Sequence, residues 1–180
     1  MRIVGGKYRG KKLWTPEGKE VRPTSERARE AIFNILYSKL GGDYSNLNLL
    51  DIFCGTGAFG FEALSRGFAH ITFADIDTVP VNKNAKLFVA EKERFDIIKT
   101  DATHLSRARR KYDMVFMDAP YAKGLTEQAL EQLLLQGWLN EKAICVVELR
   151  NDERFLLPET LELLDERVYG LARVLFLRKC

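Results

Sequence analysis

Cysteine, histidine and long apolar runs are scarce in this 180-residue chain. Its three cysteines, Cys54, Cys145 and Cys180, are far apart, odd in number and form no C-x-x-C pair. His70 and His104 are the only histidines, so the sequence supports neither a zinc site nor a disulfide framework, and no metal is expected. Cys145 lies in the apolar run 143–147 and is expected in the core. No apolar run approaches the roughly 18 residues that span a bilayer. Gly5, Lys7, Arg9 and Lys11 stand where a signal peptide would need an apolar stretch. A cytosolic location is expected.

What is present is an ordinary globular composition, 46% hydrophobic and 29% charged, at a length that suits one domain with a sizeable core or one domain plus a short arm. The net charge of +3 decides little, but it is unevenly placed. Residues 1–30 carry nine Lys/Arg against four Glu, which leaves the other 150 residues slightly acidic. A basic arm on a near-neutral body is the footprint of a polyanion binder, although a solvated lysine-rich hairpin would look the same.

Residues 1–14 hold short β-prone pieces broken by Gly5-Gly6 and Gly10, which predicts a small hairpin or meander projecting Lys and Arg. Trp14 is expected to pack this arm onto the body rather than meet a base. Thr24 or Ser25 can cap a helix in which Ala28, Ile32, Ile35, Leu36 and Leu40 recur at helical spacing, ended by Gly41-Gly42. Arg29 is expected either beside Arg22 and Arg27 in a binding channel or paired with Glu26 or Glu30 on the same helix. Strands are predicted at 47–53, 70–75, 95–99, 113–118 and 143–149, and helices at 58–66, 79–93 and 125–136. Strands separated by helices imply right-handed crossovers and a parallel sheet covered on both faces. The segments 163–168 and 172–177 flank Tyr169-Gly170-Leu171 and read as a closing antiparallel hairpin.

The stretch Asp51-Ile-Phe-Cys-Gly55-Thr-Gly57-Ala-Phe-Gly60 follows an apolar strand and opens a helix. Glycines there let the backbone turn sharply and approach a ligand closely. The match to G-x-G-x-x-G keeps a nicotinamide or flavin dinucleotide open, with Asp75 about 20 residues on as the ribose acceptor. Asp77, nearby, is expected to cap the helix at Val79. Three features favour S-adenosylmethionine. Asp51 would repel a pyrophosphate yet can help hold a cationic amino-acid end. Asp101 follows the third strand and can accept from an adenine amine. Asp118-Ala119-Pro120-Tyr121 follows the fourth strand beside the topological switch point, and little chain remains for a dehydrogenase substrate domain. Cys54 is expected to be a packing residue rather than the nucleophile of a covalent pyrimidine mechanism.

An exocyclic base amine is a poor nucleophile because its lone pair is delocalised into the ring. Methyl transfer to it needs in-line approach and acceptors that orient both amine hydrogens. Asp118 supplies one acceptor and the carbonyl of Ala119 or Pro120 a second, while Tyr121 offers a ring on which an extruded base stacks.

The basic arm, Arg22-Pro23-Thr24 with Arg27 and Glu30, Asp51–Gly60, Glu62-Ala-Leu-Ser-Arg66-Gly67 and Asp118–Tyr121 together resemble the RsmD-type bacterial 16S ribosomal RNA guanine-N2 methyltransferases. The resemblance covers essentially the whole chain in order. It implies an α/β, Rossmann-like class I methyltransferase fold: a mixed seven-stranded sheet with an antiparallel last strand. It divides the chain into a basic β-rich RNA-binding arm, residues 1–22, and a methyltransferase domain, residues 23–180. It implies that Asp51, Gly55, Gly57, Asp75 and Asp101 bind S-adenosylmethionine and that Asp118, Pro120 and Tyr121 hold the target base. Arg2, Lys7, Arg9, Arg22 and Arg27 would hold 16S rRNA in an assembled or partly assembled small subunit. The family pattern has proline where this chain has Ala119, which keeps the carbonyl but loosens the turn, so slower or less selective chemistry is expected. An adenine-N6 methyltransferase acting on DNA or RNA, and a non-catalytic RNA-binding assembly module, remain the alternatives.

Overall fold

Strands rich in Leu, Ile, Val and Phe meet in the computed structural model, which describes residues 1–17, 25–121 and 124–180. The strands are β1 (Asn48–Ile52), β2 (His70–Asp75), β3 (Phe95–Lys99), β4 (Tyr112–Met117), β5 (Leu139–Arg150), β6 (Leu161–Tyr169) and β7 (Ala172–Lys179). They form one seven-stranded sheet in the order β3-β2-β1-β4-β5-β7-β6. The first five run parallel, and β7 runs antiparallel to both β5 and β6. The sheet order reverses between β1 and β4, and the ends of those strands flank a crevice of the kind that binds ligands in open α/β sheets.

Among the described residues four α-helices cover the sheet: α1 (Glu26–Lys39), α2 (Ala58–Ser65), α3 (Val79–Ala85) and α4 (Leu125–Leu135). Alternation along the strands sends Leu49, Met114, Phe116, Ile144 and Val146 to one face, under Ile32, Phe33 and Leu36 of α1 and Phe59 and Phe61 of α2. Leu50, Ile52, Val115, Met117, Cys145 and Val147 point to the other, under Ala129, Leu130 and Leu133 of α4. Cys145 is fully buried, as expected, and burial pushes its thiol up to about 12. Among the described residues no helix is long and apolar enough to cross a membrane.

Ser25 caps α1, its side chain accepting from the Ala28 amide. Arg22 and the rest of the Arg22-Pro23-Thr24 segment lie outside the described residues. The helix expected over 79–93 is shorter: α3 gives way to a 3₁₀ stretch, Lys86–Arg94. There Phe88 leaves helical geometry (φ −123°, ψ 31°) and turns its ring against Phe61, 4.5 Å away and stacked, and against Tyr8. Asp77 accepts from the Val79 amide at 3.0 Å, so it serves the start of α3 from one residue ahead of the cap position, Thr78. Strand β5 starts four residues earlier than expected, because Leu139 pairs with Tyr112 ahead of an irregularity at which Lys142 takes a positive φ of 58°.

The first 14 residues fold back on themselves through a single antiparallel bridge, Arg2 to Lys12, and bury Ile3 and Leu13 in the core. Glu62 of α2, fully buried, fastens them by accepting from the amides of Val4 and Gly5 at 2.8 Å each. Arg29 departs from both expectations. It is buried, its Nε donating to Glu62 at 3.2 Å and a terminal nitrogen to the Arg2 carbonyl. A cation removed from water needs a buried anion, and Glu62 is that anion. Burial pulls the guanidinium below its usual value while Glu62 opposes the shift.

Further along, Glu91 accepts from Lys7 Nζ and Tyr8 Oη at 2.6 Å each and pairs with Arg94 at 2.8 Å. Those bonds to Lys7, Tyr8 and Arg94 pull its carboxyl down from 4.5 to about 2. A carboxyl depressed in the folded state stabilises fully above its unfolded value and loses that contribution as pH falls through the folded value. Amide exchange at residues 7–11 is therefore expected to accelerate as pH drops from 4.5 towards 2, beyond the intrinsic trend. In Glu91→Gln that acid-dependent step should be absent.

Candidate active site

The loop after β1 begins at Phe53, which adopts φ 61°, a left-handed conformation uncommon for a residue with a side chain. Gly55 follows with φ 52°, and a Cβ placed on it would meet no atom within 4 Å, so its backbone faces open space. Its amide donates to Asp75 Oδ2 at 2.8 Å. Asp75 Oδ1 accepts from the Asp77 amide at 3.0 Å. A carboxylate has about four lone-pair sites, so acceptor capacity remains for ligand hydroxyls.

The other two glycines serve packing. A Cβ on Gly57 (φ 76°) would lie 2.8 Å from Val81 and 2.9 Å from the Phe61 ring. One on Gly60 would press on the Phe73 ring and stand 3.0 Å from Asp51 Oδ2. Gly60→Ala is expected to cost about 1–3 kcal/mol, the range for overpacking a filled core. Thermal melts with cofactor titrations check this, and both stability and cofactor affinity should fall.

Gly55, Asp75, Asp101, Asp118, Pro120 and Tyr121 line one cavity of about 800 Å³ at the carboxyl ends of the parallel strands. Asp51 and Gly57 sit behind the loop, not on the cavity wall. Asp51 is buried and accepts from the Gly60 amide at 2.9 Å. Burial raises its carboxyl well above the usual range, the Gly60 amide tempers the shift, and Asp75 adds to it. Asp101 is exposed and accepts from the Thr103 amide and hydroxyl at 2.8 and 2.7 Å, with His104 Nδ1 at 3.2 Å. The Thr103 bonds, then His104, hold its carboxyl below the usual value. Asp118 retains some exposure to solvent, yet loss of water around its carboxyl raises it well above the usual range, with Glu148 and then Asp51 adding to the effect. Cys54 is buried, and burial together with Asp51 and Asp75 pushes its thiol far up, which opposes thiolate chemistry.

Sequence reasoning missed three participants. Ile76, 66% exposed on the cavity wall, offers an apolar surface that nothing in its flanking residues signals. Glu148 looked like part of an apolar strand but is a buried acid whose charge acts on Asp118. Asn84, also buried, accepts from the Trp14 amide at 2.7 Å and donates to the carbonyls of Trp14 and Thr56. It thereby ties the N-terminal segment to the glycine loop. Trp14 itself is 37% exposed; its main chain bonds Asn84 and its ring lies against Lys83 of α3, whose Nζ is 3.9 Å from the ring centre.

The basic residues differ in availability. Arg2 pairs with Glu26 at 3.3 Å and Lys7 with Glu91, so each would have to leave an anion to bind another. Arg9 is exposed at the bend of the N-terminal segment, Lys12 is exposed where the segment bridges back to Arg2, and Arg27 is exposed on α1, without ion pairs among the described residues.

The family model described as "Conserved hypothetical protein 95" matches residues 1–178. The ribosomal RNA small subunit methyltransferase D of Haemophilus influenzae is 32% identical over 177 residues, covering 95% of this chain and 90% of that protein. The protein of the same name from Escherichia coli is 35% identical over 152 residues, covering 82% and 74%. A solved putative methyltransferase from Escherichia coli superposes with a TM-score of 0.84 at 28% identity, covering 99% of this chain and 97% of the other. The seven-stranded sheet, the match along nearly the whole chain and these identities agree with the resemblance drawn from the motifs: the chain belongs to the Conserved hypothetical protein 95 family, that of the ribosomal RNA small subunit methyltransferases D.

Proposed function

We propose that this protein transfers a methyl group from S-adenosylmethionine to the exocyclic N2 of a guanine in 16S rRNA, within an assembled or partly assembled small subunit. The observation that carries the reading is the shared cavity, whose wall joins Gly55, Asp75 and Asp101 to Asp118, Pro120 and Tyr121. S-adenosylmethionine, when bound, supplies an electrophilic methyl on a sulfonium. The residues present suit it. Gly55 leaves room for close approach, Asp75 retains acceptor sites for ribose hydroxyls, Ile76 offers an apolar face and Asp101 an ionised acceptor. The acids at the strand ends favour a cation and disfavour a pyrophosphate.

On the substrate side, Asp118 accepts from the target amine. The carbonyl of Ala119 or Pro120 is a second acceptor, and the half-exposed Tyr121 ring gives an extruded base a stacking surface. Arg9, Lys12 and Arg27, together with Arg2, Lys7 and Arg22, neutralise phosphates. Reversing Arg9 and Lys12 to Glu is expected to weaken subunit binding and to reduce its salt slope by about one for each phosphate left without its cation. An unchanged slope would remove the N-terminal segment from the interface.

The test is transfer of labelled methyl to small subunits isolated from cells lacking this protein, beside naked rRNA and duplex DNA. Label is expected in the subunits as N2-methylguanosine. Label in adenine would favour the N6 reading, and particle binding without transfer would favour the assembly module.

A further inference from the structure

Gly55 and Gly57 take positive φ, 52° and 76°, on either side of Thr56 in the loop after β1. Glycines reorient at little steric cost, so the peptide joining Thr56 to Gly57 needs outside contacts to keep one orientation. Its N–H, on Gly57, donates to the Cys54 carbonyl at 2.7 Å. Its carbonyl belongs to Thr56, which is buried and needs a partner of its own. In a helical turn the amide four residues on would supply one, but the Gly60 amide goes to Asp51. Asn84 Nδ2 donates to the Thr56 carbonyl instead, at 2.9 Å.

Asn84 stands in α3, one turn after Val81, the residue against which Gly57 packs. Its side chain is fully buried, and its amide has a definite sense. Oδ1 accepts from the Trp14 amide at 2.7 Å, and Nδ2 donates to the Trp14 carbonyl at 3.0 Å. Reversing the amide would set its oxygen against the carbonyls of Trp14 and Thr56 and its nitrogen against the Trp14 N–H. The main chain of Trp14 therefore fixes which way Asn84 points, and Asn84 fixes the Thr56 carbonyl. The rest of the N-terminal segment is fastened separately. Glu62 holds the amides of Val4 and Gly5, and Ser65 holds those of Lys7 and Tyr8.

We propose that Asn84 is a positioning residue for the methyl donor, and that the docked N-terminal segment completes the donor site through it. This rests on the S-adenosylmethionine reading above. Gly55 faces the cavity while Thr56 and Asn84 lie behind its wall, so Asn84 touches neither donor nor base. It keeps the loop in its binding shape before the donor arrives, which spares the donor the cost of ordering it. The segment proposed to hold rRNA thereby also sets donor affinity.

Asn84→Asp keeps the shape and the acceptor for the Trp14 amide but replaces both donated hydrogens with oxygen lone pairs. Trp14→Pro leaves Asn84 in place and removes the N–H that orients it. Trp14→Phe, which keeps that N–H and a ring beside Lys83, is its control. Calorimetric titration is expected to show the S-adenosylmethionine Kd raised about tenfold in Asn84→Asp and Trp14→Pro, the size of one lost hydrogen bond. The Kd should stay within about twofold in Trp14→Phe, and the single-turnover rate at saturating donor within about threefold in every variant.

Hydrogen exchange of the cofactor-free protein reads the loop without the donor. The Gly57 amide should be protected in the wild type and exchange about tenfold faster in Asn84→Asp and Trp14→Pro. Leu133→Ala, a truncation in the core under α4 that lowers the melting temperature, should leave the Gly57 exchange and the donor Kd unaltered. A Gly57 amide unprotected in the wild type overturns the proposal even if neither variant folds. So does a donor Kd that stays within about twofold of wild type in whichever of the two variants folds. Failure of the wild-type protein to bind S-adenosylmethionine would instead overturn the donor reading, and the exchange result would still decide whether Asn84 holds the loop.

Discussion

Asp118→Asn is expected to slow methyl transfer by about 10³-fold, within the 10²–10⁴ range for a positioned proton acceptor, while cofactor affinity stays within about twofold. Asparagine preserves the shape and one acceptor oxygen, so the base can still be oriented, but the amide cannot take the proton that the amine must lose. Asp118 stands at the end of β4 in the part of the cavity formed by Pro120 and Tyr121, across from the Asp75 and Asp101 side. The loss should therefore fall on the chemical step. Single-turnover transfer and calorimetric cofactor titration of the same preparations separate the two effects. A Kd that rises in step with the rate loss would reassign Asp118 to the cofactor.

The second large effect concerns the N-terminal segment. Glu62 is fully buried and accepts from the Val4 and Gly5 amides, Arg29 Nε and Arg66 Nε, at 2.8 to 3.2 Å. Glu62→Ala would leave Arg29 a buried cation without its anion and strand the two amides. Breaking such a pair costs about 3–5 kcal/mol. For a chain of this size that lowers Tm by roughly 10 °C or more. Cleavage after Lys7, Arg9 and Lys12 by trypsin should also accelerate, because the segment loses its main fastening. Glu93→Ala, at a side chain 89% exposed, should change stability by less than about 0.5 kcal/mol. A Glu62→Ala melt within about 2 °C of wild type would contradict this account of the docked segment.

These two residues show which parts of the molecule the sequence exposes to reading. Asp118 was legible because its chemistry comes as a local string, Asp-Ala-Pro-Tyr, placed after a strand and downstream of a glycine loop. The strands were legible for a similar reason: a parallel sheet buried on both faces needs short apolar runs, and those in 47–53, 70–75 and 113–118 lie within a residue of β1, β2 and β4. Glu62 and Arg29 are 33 residues apart, and nothing local says that two charged residues on separate helices will be buried together. Arg29 accordingly read as a surface cation. Glu148 was hidden by its surroundings, since one acid in the run Ala143 to Leu149 does not disturb a strand pattern, and its meaning depends on the register between β4 and β5. The break after α3 follows from Phe88 meeting Phe61 and Tyr8, a tertiary packing that helical periodicity cannot anticipate. The glycine loop lay between these cases. Its motif was plain, but the division of labour was not: Gly55 is open to the cavity, whereas Gly57 and Gly60 make room for Val81, Phe61 and Phe73.

A crystal structure of the protein with bound S-adenosylmethionine tests the central claim most directly. The donor is expected along Gly55, Asp75 and Asp101, with its methyl directed towards Asp118 and the Tyr121 ring. A donor seated away from the crevice between β1 and β4, or a dinucleotide occupying that crevice in its place, would contradict the account.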